Sequence, residues 1–280
     1  MNLTNYLSLK LINHIPLVEI STFAAVILSL WVLETLIFEK SHKAKLAHAI
    51  PNLLFIITGL PVQLSLSVVV LMVSHWCGEN HWGLLYHLGL ANHVLLKYLI
   101  GFFILDLLDY LYHIMMHKTG NLWKFHQVHH GDEQIDVSTT LREHPGETVV
   151  RVCFLGLWVF ISGASFGLLV IRQVVQTASN ILAHSEIRFS ARAEQILGLL
   201  LVTPHIHSIH HHNKMPFTDS NYGDVLCIWD RLFGTYRKME DSEIHHGLDT
   251  LHGNNCTGFI CLMKVPFLKA KDSSVLDHPL

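Results

Sequence analysis

Four long apolar stretches restrict the folds open to this chain more than any other feature of its sequence. They cover residues 20–38, 50–74, 95–116 and 148–175, and each is close to or above the roughly 20 residues with which an α-helix crosses a bilayer. Half of the 280 residues are hydrophobic and only 15% are charged, whereas about a quarter of the residues in soluble domains are charged. The sequence therefore predicts an all-α integral membrane protein with about four transmembrane helices or hairpin arms.

The distribution of basic residues predicts which side of the membrane each loop faces. Between residues 75 and 96 there is no Lys or Arg. Basic residues follow the first and third apolar stretches, at Lys40, Lys43, Lys45, Lys118 and Lys124. Short loops rich in Lys and Arg stay in the cytoplasm. The segments after these two stretches are therefore predicted to be cytosolic, in a bacterial inner membrane or the endoplasmic reticulum.

Histidine is the most unusual component, with 23 residues against 19 Lys and Arg together. Three groups of histidines repeat helical spacing: His113 and His117, then His126, His129 and His130, then His207, His210 and His211. Residues three and four apart lie on one face of a helix, so each group presents its imidazoles in one direction. Together with His184, these groups predict a metal centre that holds more than one ion, because imidazole suits Zn, Cu, Fe and Ni.

The fourth apolar stretch is interrupted by Ser162, Gly163 and Gly167. A single crossing would place His184 on the opposite side of the membrane from His126, and one metal centre could not then contain both. We therefore expect the chain to turn back near Gly163, with two arms of about 17 residues that just cross the bilayer. On this view residues 1–117 form N-terminal transmembrane helices. Residues 118–280 form a cytosolic, histidine-rich helical cap with an embedded hairpin at about 148–180.

Capping residues place the histidine groups at helix ends. Asn121 is the expected N-cap of a helix over residues 122–130, which Gly131 would end. Thr203 followed by Pro204 predicts a helix over residues 204–212. The C-terminal end of a helix carries a partial negative charge and favours a nearby cation, which agrees with a metal centre at these ends.

The composition of the histidine groups favours a pair of irons that activates dioxygen. Cysteine, which structural zinc sites usually contain, is absent from every group, and the HExxH signature of zinc proteases is absent from the chain. Asp106 and Asp109 precede His113 by seven and four residues on roughly the same helix face. An acid inside an apolar span is costly and usually functional. We expect both to accept the ring N–H of a ligand histidine and so to fix its tautomer.

Five motifs between residues 106 and 237 are similar to those of a known family. They are DLLDYLYHIMMH, LWKFHQVHH, DVSTTLREHPGE, TPHIHSIHH and NYGDVLCIWDRLFGTY, and together they resemble the fatty acid hydroxylase/sterol desaturase superfamily. The resemblance implies a membrane-bound non-haem di-iron oxygenase that hydroxylates or desaturates a lipid: a sterol, a fatty acyl chain or a related alkyl compound. It also implies nine metal ligands: His113, His117, His126, His129, His130, His184, His207, His210 and His211.

Several residues near these motifs have no assigned role at this point. Ile114 and Glu186 depart from the residues that the family usually has there. His144, His205 and His212 flank the motifs, and the sequence does not separate a ligand from a structural residue at these positions. The NYGDVLCIWDRLFGTY motif is expected to be largely structural, with Trp229 and its neighbours packing within the cap.

The sequence also predicts the partners of the protein. It has no haem-attachment motif, no GxGxxG signature and no iron–sulfur cysteine set, so the electrons for O₂ are expected from a separate cytochrome, ferredoxin or reductase. The expected partners are therefore this donor and a membrane lipid, whereas a net charge of −3 gives no indication of nucleic acid binding. The five scattered cysteines, which form no CxxC pair, are predicted to be free thiols.

Two other functions are compatible with a histidine-rich membrane protein. A metal transporter needs ligands near the middle of the bilayer along a path, whereas these groups fall at helix ends. A membrane zinc hydrolase needs a carboxylate base, for which Glu143, Glu147 and Glu186 are the nearest candidates.

Overall fold

The computed structural model describes residues 42–90, 93–248 and 256–268, and within these ranges the protein is helical with no β-strand. The helices are α1 (His42–Glu79), α2 (Leu84–His87), α3 (Val94–Lys118), α4 (Gly120–His130), α5 (Pro145–Ser162), α6 (Phe166–Ala183), α7 (Ala191–Leu197), α8 (Pro204–His210), α9 (Ile228–Phe233) and α10 (Phe259–Lys264). A short 3₁₀ helix, Val137–Leu141, lies between α4 and α5.

Three helical ranges are long and apolar enough to cross a membrane: Lys43–His87, Pro145–Ser162 and Phe166–Ala183. The predicted second span, residues 50–74, lies within the first of these candidates, and the fourth apolar stretch overlaps the other two. The predicted third span is helical as α3, but α3 carries Lys97, Asp106 and Asp109 and is not among the three. The predicted first span, residues 20–38, lies outside the described residues. The all-helical membrane fold is confirmed, and the count of four spans is not.

Helices α1, α3, α5 and α6 pack together as a bundle. Leu105 of α3, Val159 of α5 and Leu168 of α6 are almost completely buried in one apolar cluster. Ring contacts extend this packing between α3 and α5, where Tyr112 lies 5.4 Å from Phe154 between ring centroids. Apolar contacts along the bundle hold the helices side by side. They therefore also fix the position of each helix end relative to the ends of its neighbours.

The chain turns between α5 and α6 at Gly163, where the sequence predicts the turn. Gly163 has a left-handed backbone (φ 73°), and Ser165 caps α6 by accepting a hydrogen bond from the Leu168 N–H. The hydroxyl of Ser74 in α1 donates to the Ala164 carbonyl at 2.7 Å, which fastens the turn to α1. Each arm has 18 residues and is therefore about 27 Å long. The arms bring the end of α6 back to the end of the bundle where α5 begins. The proposed division of the chain at residue 117 stays a prediction.

The C-terminal segment corrects the prediction that all five cysteines are free. Cys256 and Cys261 form a disulfide, while Cys77, Cys153 and Cys227 are free. The spacing of five residues is not a CxxC pattern, but Cys256 precedes the first turn of α10 and the chain there brings it within 5.5 Å of Cys261 between Cα atoms. Helix α10 then packs on α1, with Phe259 against Phe55 at 5.0 Å between ring centroids.

Candidate metal centre

The nine predicted ligand histidines lie together at one end of the bundle. They come from the end of α3, from α4, from the residue that follows α6, and from α8 with its C-cap. Thr203 caps α8 by accepting from the Ile206 N–H, as the sequence predicts. Helix α4 begins earlier than predicted, because Thr119 rather than Asn121 is its N-cap residue. This difference of two residues leaves the spacing of the histidines on α4 unchanged.

The histidines divide into two clusters. Within each cluster, one nitrogen from every ring lies within 4.8 Å of those from the other rings. The five-histidine cluster contains His113, His117, His126, His130 and His210. The four-histidine cluster contains His129, His184, His207 and His211. Neighbouring positions in a motif therefore go to different clusters. The clusters are adjacent, because the rings of His130 and His211 stack at 4.4 Å between centroids.

The four-histidine cluster has the dimensions of a metal site. The Nε2 atom of His184 lies 3.1 Å from that of His129 and 3.0 Å from that of His207. The Nε2 atoms of His207 and His211 are 3.2 Å apart. Two imidazole nitrogens that bind one ion at about 2.1 Å are about 3.0–3.4 Å apart. A single ion therefore fits among these four rings.

In the five-histidine cluster, two lone pairs face each other. His113 Nδ1 donates to the Tyr222 carbonyl at 2.8 Å, and His126 Nδ1 donates to the Glu147 carboxylate at 2.7 Å. A neutral imidazole has one N–H, so both Nε2 atoms carry lone pairs. They lie 3.2 Å apart. Two lone pairs at this distance repel each other unless a cation lies between them, so the arrangement fits a bound metal.

Further ring nitrogens in both clusters are buried without a hydrogen-bond partner. They are His117 Nε2, both nitrogens of His130, His207 Nδ1, His210 Nε2 and His211 Nδ1. Burial, together with the neighbouring histidines, lowers the pKa of His207 and His211 well below the usual value. Burial also lowers the pKa of His210 to about 3 and that of His184 to about 4. These imidazoles are therefore neutral at pH 7, which is the state that binds a metal.

The contacts of Asp106 and Asp109 correct the role predicted for them. Asp106 accepts a hydrogen bond from the Trp229 indole at 2.7 Å, and Asp109 pairs with Arg172 of α6 at 2.5 Å. Both carboxylates thus join α3 to its neighbours, because the partners that satisfy them lie on other elements. Two other acids do contact the ligand histidines: Glu147 contacts His126, and Asp219 contacts His117 at 3.3 Å.

Backbone carbonyls orient three further ligand rings. The Tyr222 carbonyl accepts from His113, the Ser220 carbonyl from His210 at 2.7 Å, and the Asn180 carbonyl from His184 at 2.8 Å. Two of these carbonyls belong to the loop that begins the NYGDVLCIWDRLFGTY motif. The buried Asp230 carboxylate holds this loop by accepting from the backbone N–H groups of Tyr222 and Gly223. This loop therefore orients two rings of the five-histidine cluster, a role that helical spacing alone does not indicate.

The structure places the three unassigned histidines outside both clusters. His144 caps α5, where its Nδ1 accepts from the Gly146 N–H. His205 contacts Asp241 at 2.8 Å, and His212 Nδ1 accepts from the His245 N–H. His144 and His212 therefore hold the local backbone, and none of the three contributes a nitrogen to either cluster.

The fold and the site together define a class: helical membrane proteins in which histidines converge into two adjacent clusters able to hold metal ions. Comparison with known families identifies the class. Residues 98–235 match the family model described as fatty acid hydroxylase, and this region contains all nine clustered histidines. The chain belongs to the fatty acid hydroxylase superfamily.

Curated relatives are lipid hydroxylases and monooxygenases. The chain is 32% identical to alkylglycerol monooxygenase of Homo sapiens over 143 residues, which are 50% of this chain and 30% of the relative. It is 27% identical to ornithine lipid hydroxylase OlsE of Rhizobium tropici over 169 residues, which are 60% of this chain and 49% of the relative. The chain thus spans about a third to a half of these relatives. No solved structure matches it.

Proposed function

We propose that the protein is a membrane-bound non-haem di-iron oxygenase that hydroxylates or desaturates a lipid with O₂ and electrons from a separate donor. The observation that carries the proposal is the pair of adjacent clusters built only from imidazole, with one Nε2 pair arranged as facing lone pairs. The names of the relatives, alkylglycerol monooxygenase and ornithine lipid hydroxylase, support a lipid with an alkyl or acyl chain as substrate.

The roles of the residues follow from the geometry. Bound irons would supply O₂ activation and the oxidation of an unactivated C–H bond. The nine clustered histidines would hold the two ions, five on one and four on the other. Glu147 and the carbonyl of Tyr222 hold the Nδ1–H tautomers of His126 and His113, so that the Nε2 lone pair of each ring would be available to an ion. Burial of the rings excludes water from the centre.

The contacts of Glu147 and Glu143 and the position of the histidine clusters favour the oxygenase over the two alternatives. A zinc hydrolase needs a carboxylate at the metal, but Glu147 binds the outer nitrogen of His126 and Glu143 pairs with Arg151. A transporter needs ligands along a path through the bilayer, but the described clusters lie together at one end of the bundle.

Analysis of the purified full-length protein in lipid nanodiscs tests the proposal. Metal analysis should give about two irons per chain, and a chemical or enzymatic reductant should then cause O₂ uptake with added membrane lipid. Mass spectrometry of the lipid should show a gain of 16 Da for hydroxylation or a loss of 2 Da for desaturation. Iron-free protein that hydrolyses lipid with zinc and without O₂ would contradict the proposal, as would metal transport into sealed vesicles without lipid oxidation.

A further inference from the structure

Besides the three candidate membrane spans, the protein has a further group of exposed apolar side chains. It is formed by the loop after α7 and by the end of α9, and we call it the α9 apolar surface. Its members and their exposed fractions are Leu199 58%, Leu200 56%, Leu201 42%, Leu232 68% and Phe233 54%. Contiguous exposed apolar surface of this kind marks a contact with a partner or with a membrane.

The two segments form one fixed surface. The Cys227 N–H donates to the Leu200 carbonyl at 2.9 Å, and an isolated β-bridge joins Leu201 to Leu226. Arg231 is the cation of α9. Its guanidinium donates to the Gly198 carbonyl and stacks 3.8 Å from the centroid of the Tyr236 ring. Backbone contacts therefore hold the surface in place, and the one cation of α9 has partners within the protein.

Contacts with α3 show where this surface lies on the bundle. Trp229 packs against Phe103 at 6.4 Å between ring centroids and donates its indole N–H to Asp106. Phe233 stacks on Tyr110 at 5.6 Å. These α3 residues precede His113 by three to ten positions, which is about 4–15 Å along the helix axis. Helix α9 therefore lies beside α3, on the side of the histidine clusters that is nearer to the turn at Gly163.

The composition of the segments indicates what covers them. Residues 195–202 contain no Asp, Glu, Lys or Arg. Of the two charged residues of α9, Asp230 is buried and Arg231 is held by the Gly198 carbonyl and the Tyr236 ring, so the apolar side chains of the surface have no acidic residue exposed among them. The surface also continues the exposed apolar side of α3, where Phe103 and Leu99 are 40% and 52% exposed. We propose that the α9 apolar surface is inserted into the acyl chains of the leaflet that carries the metal centre. Acyl chains would then lie alongside the turn of α3 that leads to His113.

Site-directed spin labelling of the full-length protein in phosphatidylcholine–phosphatidylglycerol vesicles tests this placement. Single labels are introduced through Leu200→Cys and Leu232→Cys in a Cys153→Ser background, since Cys77 and Cys227 are buried. Leu157→Cys on candidate span α5 serves as the lipid reference, and the exposed Lys238→Cys as the water reference. Collision rates with O₂ and with a water-soluble nickel chelate report whether each label contacts lipid or water.

Labels at positions 200 and 232 should match the lipid reference, with an O₂-to-nickel collision ratio several-fold above that of Lys238→Cys. Ratios equal to that of Lys238→Cys would overturn the proposal. Spin–spin broadening that disappears on dilution with unlabelled protein would also overturn it, because the surface would then contact a second copy. Neither readout depends on bound metal or on activity, so the result is independent of the proposed reaction.

Discussion

At the scale of single residues, the observation that most favours a bound metal is the close approach of two ring nitrogens whose lone pairs should repel each other. The Nε2 atoms of His113 and His126 lie 3.2 Å apart while each ring donates its one N–H elsewhere. No rotation of either ring relieves this without the loss of an outer hydrogen bond. The outer hydrogen bond at Nδ1 therefore fixes the tautomer of each ring, and a cation between the two Nε2 atoms would stabilise their close approach.

Helix α8 offers a matched pair of histidines to test the ligand set. We expect His207→Gln to lower bound iron from about two per chain towards one, because His207 Nε2 lies among the nitrogens of the four-histidine cluster. His205→Gln changes the same residue type on the same helix, but His205 contacts Asp241 outside both clusters. It should leave the iron content unchanged. Equal loss of iron in the two variants would remove the assignment of these nitrogens.

Glu147 allows a second test at this scale. Glu147→Gln keeps an acceptor for His126 but removes the charge, and we expect iron affinity of the five-histidine cluster to fall about 10–100-fold. Glu143→Gln is the control, because Glu143 lies four residues away and contacts Thr148 and Arg151 instead. Titration with Fe²⁺, followed by optical or Mössbauer spectroscopy, measures the affinity. If both variants bind iron as the parent does, Glu147 has no part in the site.

Helix spacing grouped eight histidines, and the family resemblance added His184 to the predicted ligands; the fold brings all nine into two clusters. Predictions failed where a distant partner decided the contact. Helix spacing misassigned Asp109, because Arg172 is 63 residues away and helix periodicity does not show which helix packs beside α3. The role of Glu147 was missed for the same reason, since α5 reaches His126 only in the folded bundle.

At the scale of elements, the α5–α6 turn determines whether the metal centre forms. The need to bring His184 to the same side as His126 was sufficient to predict a turn near Gly163. The start of α4 was less predictable, because Thr119 and Asn121 are both good N-cap residues and the end of α3 selects between them.

Substitution of Gly163 should disrupt this turn. Gly163 has φ 73°, and a Cβ built there would lie 2.3 Å from the Trp82 carbonyl oxygen. We expect Gly163→Ala to destabilise the protein by at least about 1–2 kcal/mol, the cost of a left-handed backbone with a side chain. Gly156→Ala, within α5, has its nearest neighbour at 3.9 Å and should be neutral or slightly stabilising. Thermal unfolding in detergent compares the two, and an unchanged midpoint for Gly163→Ala would contradict the close approach.

At the scale of the whole molecule, the arrangement of the four bundled helices separates two ends. The histidine clusters, α4 and α8 lie at one end, and the turn at Gly163 with the end of α1 lies at the other. Charges inside the apolar region are paired across helices, as Asp109 with Arg172 shows. The bundle therefore has apolar side chains exposed along its length and imidazole nitrogens without hydrogen-bond partners at one end, an arrangement that suits the proposed oxidation of a membrane lipid.

The two ends should face opposite sides of the membrane, with the metal end in the cytosol. We expect Lys238→Cys, near the metal end, to react with a membrane-impermeant maleimide only after cells are permeabilised. Asn80→Cys, after α1 at the other end, should react in intact bacterial cells whose outer membrane is opened. Both variants carry Cys153→Ser. Labelling of both positions from one side would show that the arms do not cross, whereas a reversed pattern would retain the crossing and contradict only the orientation inferred from the basic loops.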